Sequence, residues 1–398
     1  MTNQRHDALF QPLELPCGIV LKNRIAKSAM SDSLGDGRGN PTAAQERLYE
    51  RWAEGGLAVS IIGEVQGNPS VAEKPGNLVL GPDADVSAFE ALAKKGASND
   101  AQLWLQLGHA GAMAHPPISE PKGPSAIDMP GLTCAALTPD EIRALPAEFA
   151  RTAGLAKQLG FGGVQVHAAH GFLLSQFLSP LFNKRTDEFG GAIERRMRLL
   201  LDVVDAVRDA VGPDFPVAIK LNATDQLEGG FDEDDACAVI AALDRTGIDL
   251  IDISGGTYFP GARSASDRAG SGPYFVAFAE RARRLTTKPL MVTGGFKTLD
   301  QAVDAIAHHG VDMVGLARAL ALDPDLPNKW QAGSAREIAF PRFQDPPEGG
   351  VTAWFTMRLT ELGEDRALSD ASGLAAAIMA YEDRDRARIP LWQARFGS

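Results

Sequence analysis

The chain has 398 residues, of which 44% are hydrophobic and 23% charged, enough for one large α/β barrel with an extension or for two ordinary domains. Its formal net charge of −12 disfavours nucleic acid and anionic membranes as partners, and no apolar run is long enough to span a bilayer. The N-terminus lacks the apolar core of a secretory signal, and the three distant cysteines indicate neither a disulfide framework nor a zinc site, so we expect a cytoplasmic protein.

Eight short apolar runs alternate with longer segments of helical periodicity over residues 1–333. Runs of this length, rich in Val, Ile and Leu, suit strands that are buried on both faces of a parallel sheet. They are Arg24–Met30, Ala58–Glu64, Ala101–Leu107, Gly163–His167, Pro216–Leu221, Asp249–Ser254, Leu290–Thr293 and Met313–Leu316. Eight β-then-α units predict a closed (β/α)8 TIM barrel. A doubly wound open sheet is the main rival, but the glycine-rich turn expected after an early strand of that fold is not found.

Two of the intervening segments are clearly helical, and the end of the chain departs from the pattern. Glu194–Val211 and Asp232–Thr246 are predicted helices, the first because its apolar residues recur at helical spacing. Residues 334–398 form a C-terminal extension, predicted to contain a loop at 340–350 and a helix over Arg366–Tyr381. This extension could cover the barrel bottom, pack at a subunit interface or form a lid over the site.

Unusual polar residues follow the apolar runs, at the strand ends where the active site of a barrel lies. In chain order they are Ser31 and Asp32, Glu64 and Gln66, Gln106 and His109, His167 and His170, Lys220 and Asn222, Ser254, Thr293, and Arg318. One such residue could be chance, but a polar residue at the equivalent position of all eight units predicts a concave polar site.

The last two units suggest a phosphate site. VTGGF at 292–296 places Gly294 and Gly295 directly after a strand, and GLARAL at 315–320 turns from strand into helix and carries Arg318. Loops at these positions often bind phosphate with backbone N–H groups and a helix N-terminus, and a guanidinium would add a charge-assisted contact. Taken alone, the glycines could equally serve only to make tight turns.

HAAHGF at 167–172 is the most informative local motif. Two imidazoles three residues apart could chelate a metal if His109 or Glu64 supplied a third ligand. They could equally act as neutral donors to one carbonyl or nitro oxygen. Two of the chain's seven histidines stand together at a predicted strand end, which disfavours a purely structural role.

Gln106 and Lys220 also have more than one interpretation. The Gln106 amide can both donate and accept, which suits the edge of a heterocycle, although backbone groups inside the barrel could also satisfy it. Lys220 could form a Schiff base, or it could place a fixed positive charge beside an electron-accepting ring. It could also form a salt bridge with a neighbouring carboxylate such as Asp225.

These residues, in this order, resemble the Old Yellow Enzyme family of FMN-dependent oxidoreductases, from about Leu9 to Trp330. The motifs that carry the resemblance are LKNRIAKSAM at 21–30, WLQLGHAG at 104–111, HAAHGFLLSQFLSPLFNKRTDEFGG at 167–191, VTGGF at 292–296 and GLARALALDP at 315–324. The stretches LYERWAEGG at 48–56 and KLNATD at 220–225 look most like the NADH oxidase-like or dienoyl-reductase-like branch.

The resemblance implies FMN at the C-terminal ends of the strands, with NADH or NADPH as the reductant. Gln106 would contact the flavin pyrimidine edge, and Lys220 would lie near flavin N1 and O2. The residues implied to hold the phosphate are Gly294, Gly295, Ala317 and Arg318. The other residues implied to bind the cofactor are Ala29, Met30, Ser31, Gln66 and Gly255. The residues implied to act on or contact the substrate are His167, His170, Phe172 and Tyr258.

Three positions depart from the family pattern. Phe172 stands where the family usually has the tyrosine that protonates the substrate α-carbon, and a phenyl ring cannot donate a proton. Tyr258 and Tyr274 follow the sixth apolar run and are candidate substitutes. Ser31 stands where other members place Cys or Thr, and Ala112 replaces a frequent arginine.

We therefore expect an enzyme that uses NAD(P)H to reduce the activated C=C bonds of enones, enals or nitro compounds by hydride transfer from flavin N5. Because the tyrosine acid is missing, flavin-dependent oxidation or isomerisation is a second hypothesis. A Schiff-base lyase that uses Lys220 without flavin is a third. The expected partners are small-molecule substrates and further copies of the chain, without nucleic acid, membrane or metal.

Overall fold

The computed structural model describes residues 8–259, 272–367 and 373–397, and a closed barrel of eight parallel strands lies at its centre. The strands are β1 (Ile25–Met30), β2 (Val59–Gln66), β3 (Gln102–Leu107), β4 (Gly163–Ala168), β5 (Val217–Asn222), β6 (Leu250–Ser254), β7 (Leu290–Thr293) and β8 (Met313–Leu316). Consecutive strands pair in parallel, and β8 pairs with β1, which closes the ring. The predicted barrel is confirmed, and the open-sheet alternative is wrong.

Helices surround the barrel and connect its strands. They are α1 (Ala43–Glu54), α2 (Val86–Gly96), α3 (Pro139–Gln158), α4 (Leu173–Leu178), α5 (Ile193–Arg196), α6 (Arg198–Val211), α7 (Glu233–Leu243), α8 (Val276–Arg283), α9 (Leu299–His308), α10 (Arg318–Leu322), α11 (Leu326–Ala332), α12 (Gly350–Gly363) and α13 (Leu374–Phe396). The helix predicted over Glu194–Val211 is present but divides at Met197 into α5 and α6. Asp232 lies just before α7 and caps it, since its side chain accepts from the N–H groups of Asp234 and Asp235.

Shorter strands lie outside the ring. A hairpin of Leu13–Glu14 and Val20–Leu21 precedes β1, and Leu78–Val79 pairs with the end of β2. A small sheet of Lys122–Gly123, Ile127–Met129 and Leu132–Ala136 follows β3. No helix in the three described ranges is long and apolar enough to cross a membrane.

The inside of the barrel is filled in two layers. The floor is apolar and consists of Ala26, Val59, Ile61, Trp104, Ala218, Leu250, Met291 and Met313. The layer above it is polar and contains Ser28, Gln106, Gln165, Lys220, Asp252 and Thr293. Because side chains alternate between the two faces of a strand, a residue two positions after a floor residue also points inward. The register that builds the floor therefore also builds the polar layer, directly below the predicted site.

Two glycines make room for these layers. At Gly163 a Cβ atom would lie 2.8 Å from ring atoms of Trp104, so the floor tryptophan needs glycine beside it. At Gly315 a Cβ atom would lie 2.3 Å from both Ser28 Oγ and Thr293 Oγ1. Glycine at this position allows the two hydroxyl oxygens to approach to 2.7 Å.

The C-terminal extension contains two helices, α12 and α13, where we expected one. The helix expected over Arg366–Tyr381 is wrong at its start, since residues 366 and 367 are not helical, and residues 368–372 lie outside the described ranges. Helix α12 was not predicted, because it is buried around most of its circumference and so shows no amphipathic stripe. It packs against α1 and α10.

Helix α13 contacts the loops that follow β1 and β2. Arg388 donates to the Ser33 carbonyl at 2.7 Å, and Arg395 donates to the Asp83 carbonyl at the same distance. These loops lie at the C-terminal ends of the strands. These contacts place α13 beside the C-terminal ends of the strands and not over the barrel bottom, one of the three positions that the sequence left open.

Candidate functional site

The histidine pair lies at the end of β4, where the neighbouring strands fix its backbone. His167 pairs in register with Lys220 of β5. His170 follows β4 with a φ of 61°, a left-handed conformation that non-glycine residues rarely adopt. Its N–H donates to Asn222 Oδ1 at 3.2 Å, and its carbonyl accepts from the Tyr258 N–H at 3.1 Å. The two imidazole centroids are 5.4 Å apart, so one small molecule could contact both rings.

Both imidazoles are uncharged near neutral pH. Burial lowers the pKa of His167 well below its ordinary value, and His170 and Lys220 lower it further electrostatically. Burial, followed by the positive charge of Lys220, lowers the pKa of His170 to about 3. A neutral imidazole has one N–H donor and one acceptor nitrogen, so each ring can bind a ligand oxygen without introducing a charge.

The two rings differ in their hydrogen bonds. His170 Nε2 lies 2.9 Å from Ser254 Oγ at the end of β6. His167 Nδ1 is buried and finds no hydrogen-bond partner among the described residues. His167 therefore has unmet hydrogen-bonding capacity, whereas His170 shares its ring nitrogen with a hydroxyl. Ser254 ends the sixth apolar run, but nothing in the sequence indicated that it contacts His170.

Aromatic side chains border the pair. The buried Phe172 ring is 4.8 Å from the His167 ring, measured between centroids. The Tyr258 ring is 5.9 Å from that of His170 and 6.1 Å from that of Phe172, and 56% of Tyr258 is exposed. Tyr274 lies beside the loop after β7, since its N–H donates to the Gly294 carbonyl at 3.4 Å. Of the two tyrosines that the sequence offered as acids, Tyr258 is the one beside the histidines.

A hydrogen-bond network runs through the polar layer below the histidines. Lys220 Nζ lies 2.5 Å from Asp252 Oδ2, and this ion pair is almost completely buried. Gln165 Nε2 donates to the same oxygen at 3.1 Å, and Gln106 Nε2 donates to Gln165 Oε1 at 2.8 Å. Thr293 Oγ1 donates to Asp252 Oδ1 at 2.6 Å. The network holds the Lys220 ammonium at one position inside the barrel.

The network gives the partners of two residues for which the sequence left alternatives open. Lys220 pairs with Asp252 and not with Asp225, whose carboxylate accepts from a neighbouring asparagine at 3.0 Å. Gln106 donates to the side chain of Gln165, and not to a backbone group inside the barrel as one interpretation held. Asp252 and Gln165 were not predicted as site residues, because they lie inside apolar runs and not after them. The available signal was an acid in the middle of the run LIDIS at 250–254.

The loops after β7 and β8 form another end of the site. Gly294 and Gly295 have φ angles of 114° and 84°, which favour glycine and turn the backbone away after β7. Ala317 precedes α10, and Arg318 is its first residue. The guanidinium carbon of Arg318 lies 5.5 Å from the centroid of the Phe355 ring in α12, a cation–π distance. The residues predicted to bind phosphate therefore directly follow two adjacent strands, and the extension contacts one of these residues.

The ends of β1 and β2 meet next to these loops, since β8 pairs with β1. Ala29, Met30 and Ser31 are partly exposed at the end of β1. A Cβ atom at Gly63 would lie 2.6 Å from the Met30 carbonyl oxygen, so glycine allows the two backbones to touch. The Gln66 side chain is completely buried, yet neither its Nε2 nor its Oε1 has a partner among the described residues. Leaving a buried amide unpaired is unfavourable, so Gln66 has the capacity to bind a ligand.

Gly255 is needed for packing, independently of any contact with a cofactor. A Cβ atom there would lie 2.6 Å from the Phe275 ring, so a larger residue would displace that ring. As for metals, no group of three or more His, Cys, Asp or Glu side chains in the described part of the chain could hold an ion.

The donor set fits a flavin mononucleotide. An isoalloxazine ring has a polar edge, and the unpartnered Gln66 amide and the charged layer around Lys220 offer partners for it. A phosphate group needs backbone N–H groups and a cation, which the loops carrying Gly295 and Arg318 supply. The histidine pair is then left for a second, oxygen-bearing molecule.

Known proteins are similar to this chain in both sequence and fold. The profile of the NADH:flavin oxidoreductase / NADH oxidase family matches residues 8–337. The NADH-dependent flavin oxidoreductase iliE of Hypocrea jecorina is 32% identical over 351 residues, covering 79% of this chain and 87% of that protein. An NADPH dehydrogenase of Bacillus licheniformis is 32% identical over 344 residues, covering 85% of this chain and 96% of that protein.

Solved structures agree. Morphinone reductase in complex with tetrahydroNAD superposes with a TM-score of 0.72 at 26% identity, over 84% of this chain and 93% of that one. The chain spans about half the length of several other curated relatives. The match to the family profile covers most of the chain, and the barrel is the one these relatives share. The chain belongs to the NADH:flavin oxidoreductase / NADH oxidase family, and it is an FMN-dependent oxidoreductase of the Old Yellow Enzyme type.

Proposed function

We propose that the enzyme uses NADH or NADPH to reduce C=C bonds that are conjugated to a carbonyl or nitro group. The observation that carries this proposal is the pair of uncharged imidazoles, 5.4 Å apart, at the end of β4. A pair of this kind suits an oxygen that gains negative charge during the reaction, because preorganised donors stabilise such charge without being titrated.

The bound FMN would supply hydride transfer, taking hydride from the nicotinamide and delivering it from N5 to the alkene β-carbon. The Nδ1 of His167, which has no partner among the described residues, would donate a hydrogen bond to the substrate oxygen. His170 would donate to the same oxygen, either directly or after exchanging its contact with Ser254. Both contacts withdraw electron density from the alkene and so prepare it for hydride.

The remaining residues would hold the cofactor. Gln66 and Gln106 would bind the polar edge of the ring, and Lys220 would hold a positive charge near flavin N1 and O2. The backbone around Gly295, together with Arg318, would bind the phosphate. The positive φ of Gly295 and the cation–π contact of Arg318 support this arrangement, because both fix groups that a phosphate needs.

The other cofactor contacts follow from position along the strands. We propose that Ala29, Met30 and Ser31 border the ring from β1, that Gly255 does so from β6, and that Gly294 and Ala317 lend backbone to the phosphate. The partly exposed ends of β1 and of the β7 and β8 loops support these assignments.

The proton for the substrate α-carbon needs a source other than Phe172. We propose that the Tyr258 hydroxyl supplies it, because this ring borders both His170 and Phe172 and the residue is exposed to solvent. The Tyr258 side chain would then be reprotonated from solvent.

A panel of oxidants mixed anaerobically with the reduced enzyme tests the proposal. We expect cyclohexenone and a nitroalkene to reoxidise the flavin and cyclohexanone, which lacks the C=C bond, to leave it reduced. Stopped-flow absorbance of the flavin gives the rates, and chromatography identifies the saturated product. If neither alkene reoxidises the flavin, ene reduction is wrong.

Flavin-dependent oxidation or isomerisation is the second candidate, and Phe172 is the observation that favours it. A site without the tyrosine acid loses a proton donor that reduction requires but dehydrogenation does not. Anaerobic incubation of the oxidised enzyme with cyclohexanone would bleach the flavin if this candidate is right. The Schiff-base alternative has less support, because an ammonium that is paired with Asp252 is not a nucleophile.

A further inference from the structure

Asp252 is the centre of the polar layer inside the barrel. Its side chain is completely buried, and both carboxylate oxygens are used. Oδ2 accepts from Lys220 Nζ at 2.5 Å and from Gln165 Nε2 at 3.1 Å. Oδ1 accepts from Thr293 Oγ1 at 2.6 Å. Asp252 thus connects side chains from β4, β5 and β7 across the barrel.

All the hydrogen bonds in this layer point toward the carboxylate. Thr293 gives its one hydroxyl proton to Asp252, so Ser28, 2.7 Å from the Thr293 oxygen, must donate to it. On the other side Gln106 donates to Gln165, which donates to Asp252. Two chains of donors therefore converge on one acceptor, an arrangement that stabilises a negative charge.

A carboxylate at this position is not needed for packing. The floor of the barrel, formed two residues earlier along the same strands, is packed with apolar side chains. Replacing a buried ion pair with apolar side chains of similar volume often leaves a protein equally stable or makes it more stable. Six strands nevertheless contribute polar side chains to this single layer. The layer is thus better explained by what lies above it.

The layer acts on the site through the Lys220 ammonium. Lys220 pairs in register with His167, and its positive charge is among the causes that lower the pKa of both His167 and His170. Its charge therefore reaches the space where we place the flavin and the substrate. Any group that fixes or offsets this charge changes the field in that space.

We propose that Asp252 is a positioning residue that holds the Lys220 ammonium beneath the flavin and offsets part of its charge, and so sets the reduction potential of the bound FMN. This inference rests on the proposed place of Lys220 beside the flavin. A positive charge near the ring favours the reduced, anionic form, and a carboxylate 2.5 Å from that charge opposes this effect.

Three holoenzyme variants test the inference through the flavin reduction potential. Asp252→Asn leaves the Lys220 charge without its partner, so we expect the equilibrium with a reference dye to shift toward reduced flavin at least tenfold, about 30 mV for a two-electron couple. Lys220→Met removes the positive charge and should shift the equilibrium the opposite way. The double variant carries neither charge and should return close to the wild-type potential.

The matched control is Asp249→Asn. Asp249 is a buried aspartate of the same segment that pairs with Arg208, outside the polar layer. This variant should leave the potential unchanged. An unaltered potential in Asp252→Asn with full FMN content would overturn the inference, and so would equal shifts in the two aspartate variants.

A milder variant covers the case in which Asp252→Asn does not fold. Thr293→Val keeps the ion pair and removes one donor to the carboxylate. The negative charge is then less screened, so the potential should fall and the flavin spectrum should change. No shift would contradict the inference. Since these readouts need no substrate, a holoenzyme that shows the shifts but does not reduce cyclohexenone would refute the proposed function alone.

Discussion

The two imidazoles beside β4 differ in what they already bind, and this difference predicts unequal roles. His167 has an unpartnered Nδ1, whereas His170 contacts Ser254. We expect His167→Asn to lower kcat/KM for cyclohexenone by about 10²–10³-fold, the usual effect of losing one donor to a developing oxyanion. Ser254→Ala should have a smaller effect, because it removes only the partner of His170.

Steady-state kinetics on these variants measures the effect, with flavin content checked by absorbance. His308→Asn is the control, because His308 lies at the exposed C-terminal end of α9 and its imidazole contacts Asp304. A His167 variant with wild-type kcat/KM would mean that the substrate oxygen lies elsewhere.

The lowered pKa values of the histidines also predict how stability depends on pH. His170 has a pKa of about 3 in the folded chain and an ordinary value near 6.5 when unfolded. Between these values the unfolded chain binds the extra proton, so stability falls as pH falls from about 6.5 toward 3. His170→Asn should weaken this dependence.

Urea unfolding at pH 7.5 and pH 5 measures the pH dependence of stability for the wild type and for His170→Asn. The change in unfolding free energy between the two pH values should be smaller in the variant. An identical change in both proteins would show that His170 is not titrating in this way.

Phe172 gives the clearest test of the missing acid. Its ring lies 4.8 Å from that of His167, so Phe172→Tyr places a hydroxyl at the edge of the site. General acid catalysis contributes typically about 10²–10⁴-fold, so we expect the oxidative half-reaction with cyclohexenone to become at least tenfold faster.

Phe172→Leu is the control, since it alters the packing without adding an acid. Tyr258→Phe should slow the same half-reaction if Tyr258 is the present donor. A gain in the leucine variant, or no gain in the tyrosine variant, would mean that proton transfer does not limit the rate.

At the scale of elements, the contact between β1 and α1 contains a buried lysine. Lys27 Nζ lies 4.5 Å from the Trp52 ring centroid and donates to the Ser28 carbonyl at 2.9 Å. Burial lowers its pKa to about 7, although the charge of Asp32 acts in the opposite direction. The fold therefore bears an unfavourable charge at low pH, where both the folded and the unfolded chain are protonated.

We expect Lys27→Met to raise the melting temperature by several degrees at pH 6, because it removes a buried ammonium and keeps the apolar stem. The pKa shift from 10.5 to about 7 corresponds to a free-energy difference of at most about 5 kcal/mol. As pH rises from 7 toward 10, Lys27 becomes neutral in the folded chain. The difference in melting temperature between Lys27→Met and the wild type should therefore shrink. Calorimetry from pH 6 to pH 10 measures both melting temperatures. A difference that does not change with pH would contradict the assignment of the effect to the buried Lys27 charge.

On the scale of the whole molecule, we propose that the barrel and the extension form one folding unit. The side chains of α12 and α13 that face the barrel are completely or almost completely buried, namely Trp354, Phe355, Leu359, Leu362 and Trp392. Burying one such side chain contributes about 1.5–3 kcal/mol, and the net stability of a protein is only about 5–15 kcal/mol. Removing both helices should therefore unfold the barrel.

A chain that ends at residue 349 tests this proposal, with solubility, circular dichroism and FMN content as readouts. Leu359→Ala should lower stability by about 2–5 kcal/mol without removing a helix. Glu382→Ala, at an exposed position of α13, should change little. A truncated chain that folds and binds FMN like the full chain would show that the extension is a separate unit.

Most strand positions could be read from the sequence, because parallel strands are apolar on both faces. The polar residues that follow the strands predict where the site lies, since the active site of a barrel is at the C-terminal ends of its strands. Helix α12 was missed because its helical face pattern disappears when nearly all sides are buried. Asp252 was missed because a polar residue inside an apolar run looks like part of the strand.

The sequence by itself determined the barrel, the histidine pair and the absence of a tyrosine at Phe172, because periodicity and residue type are local properties of the chain. Only the tertiary structure decided that Lys220 pairs with Asp252, that Ser254 contacts His170, and that α13 contacts the loop after β1. These contacts join strands and helices that are distant in the chain. They depend on the register and closure of the barrel, which bring side chains together without leaving a pattern in the local sequence.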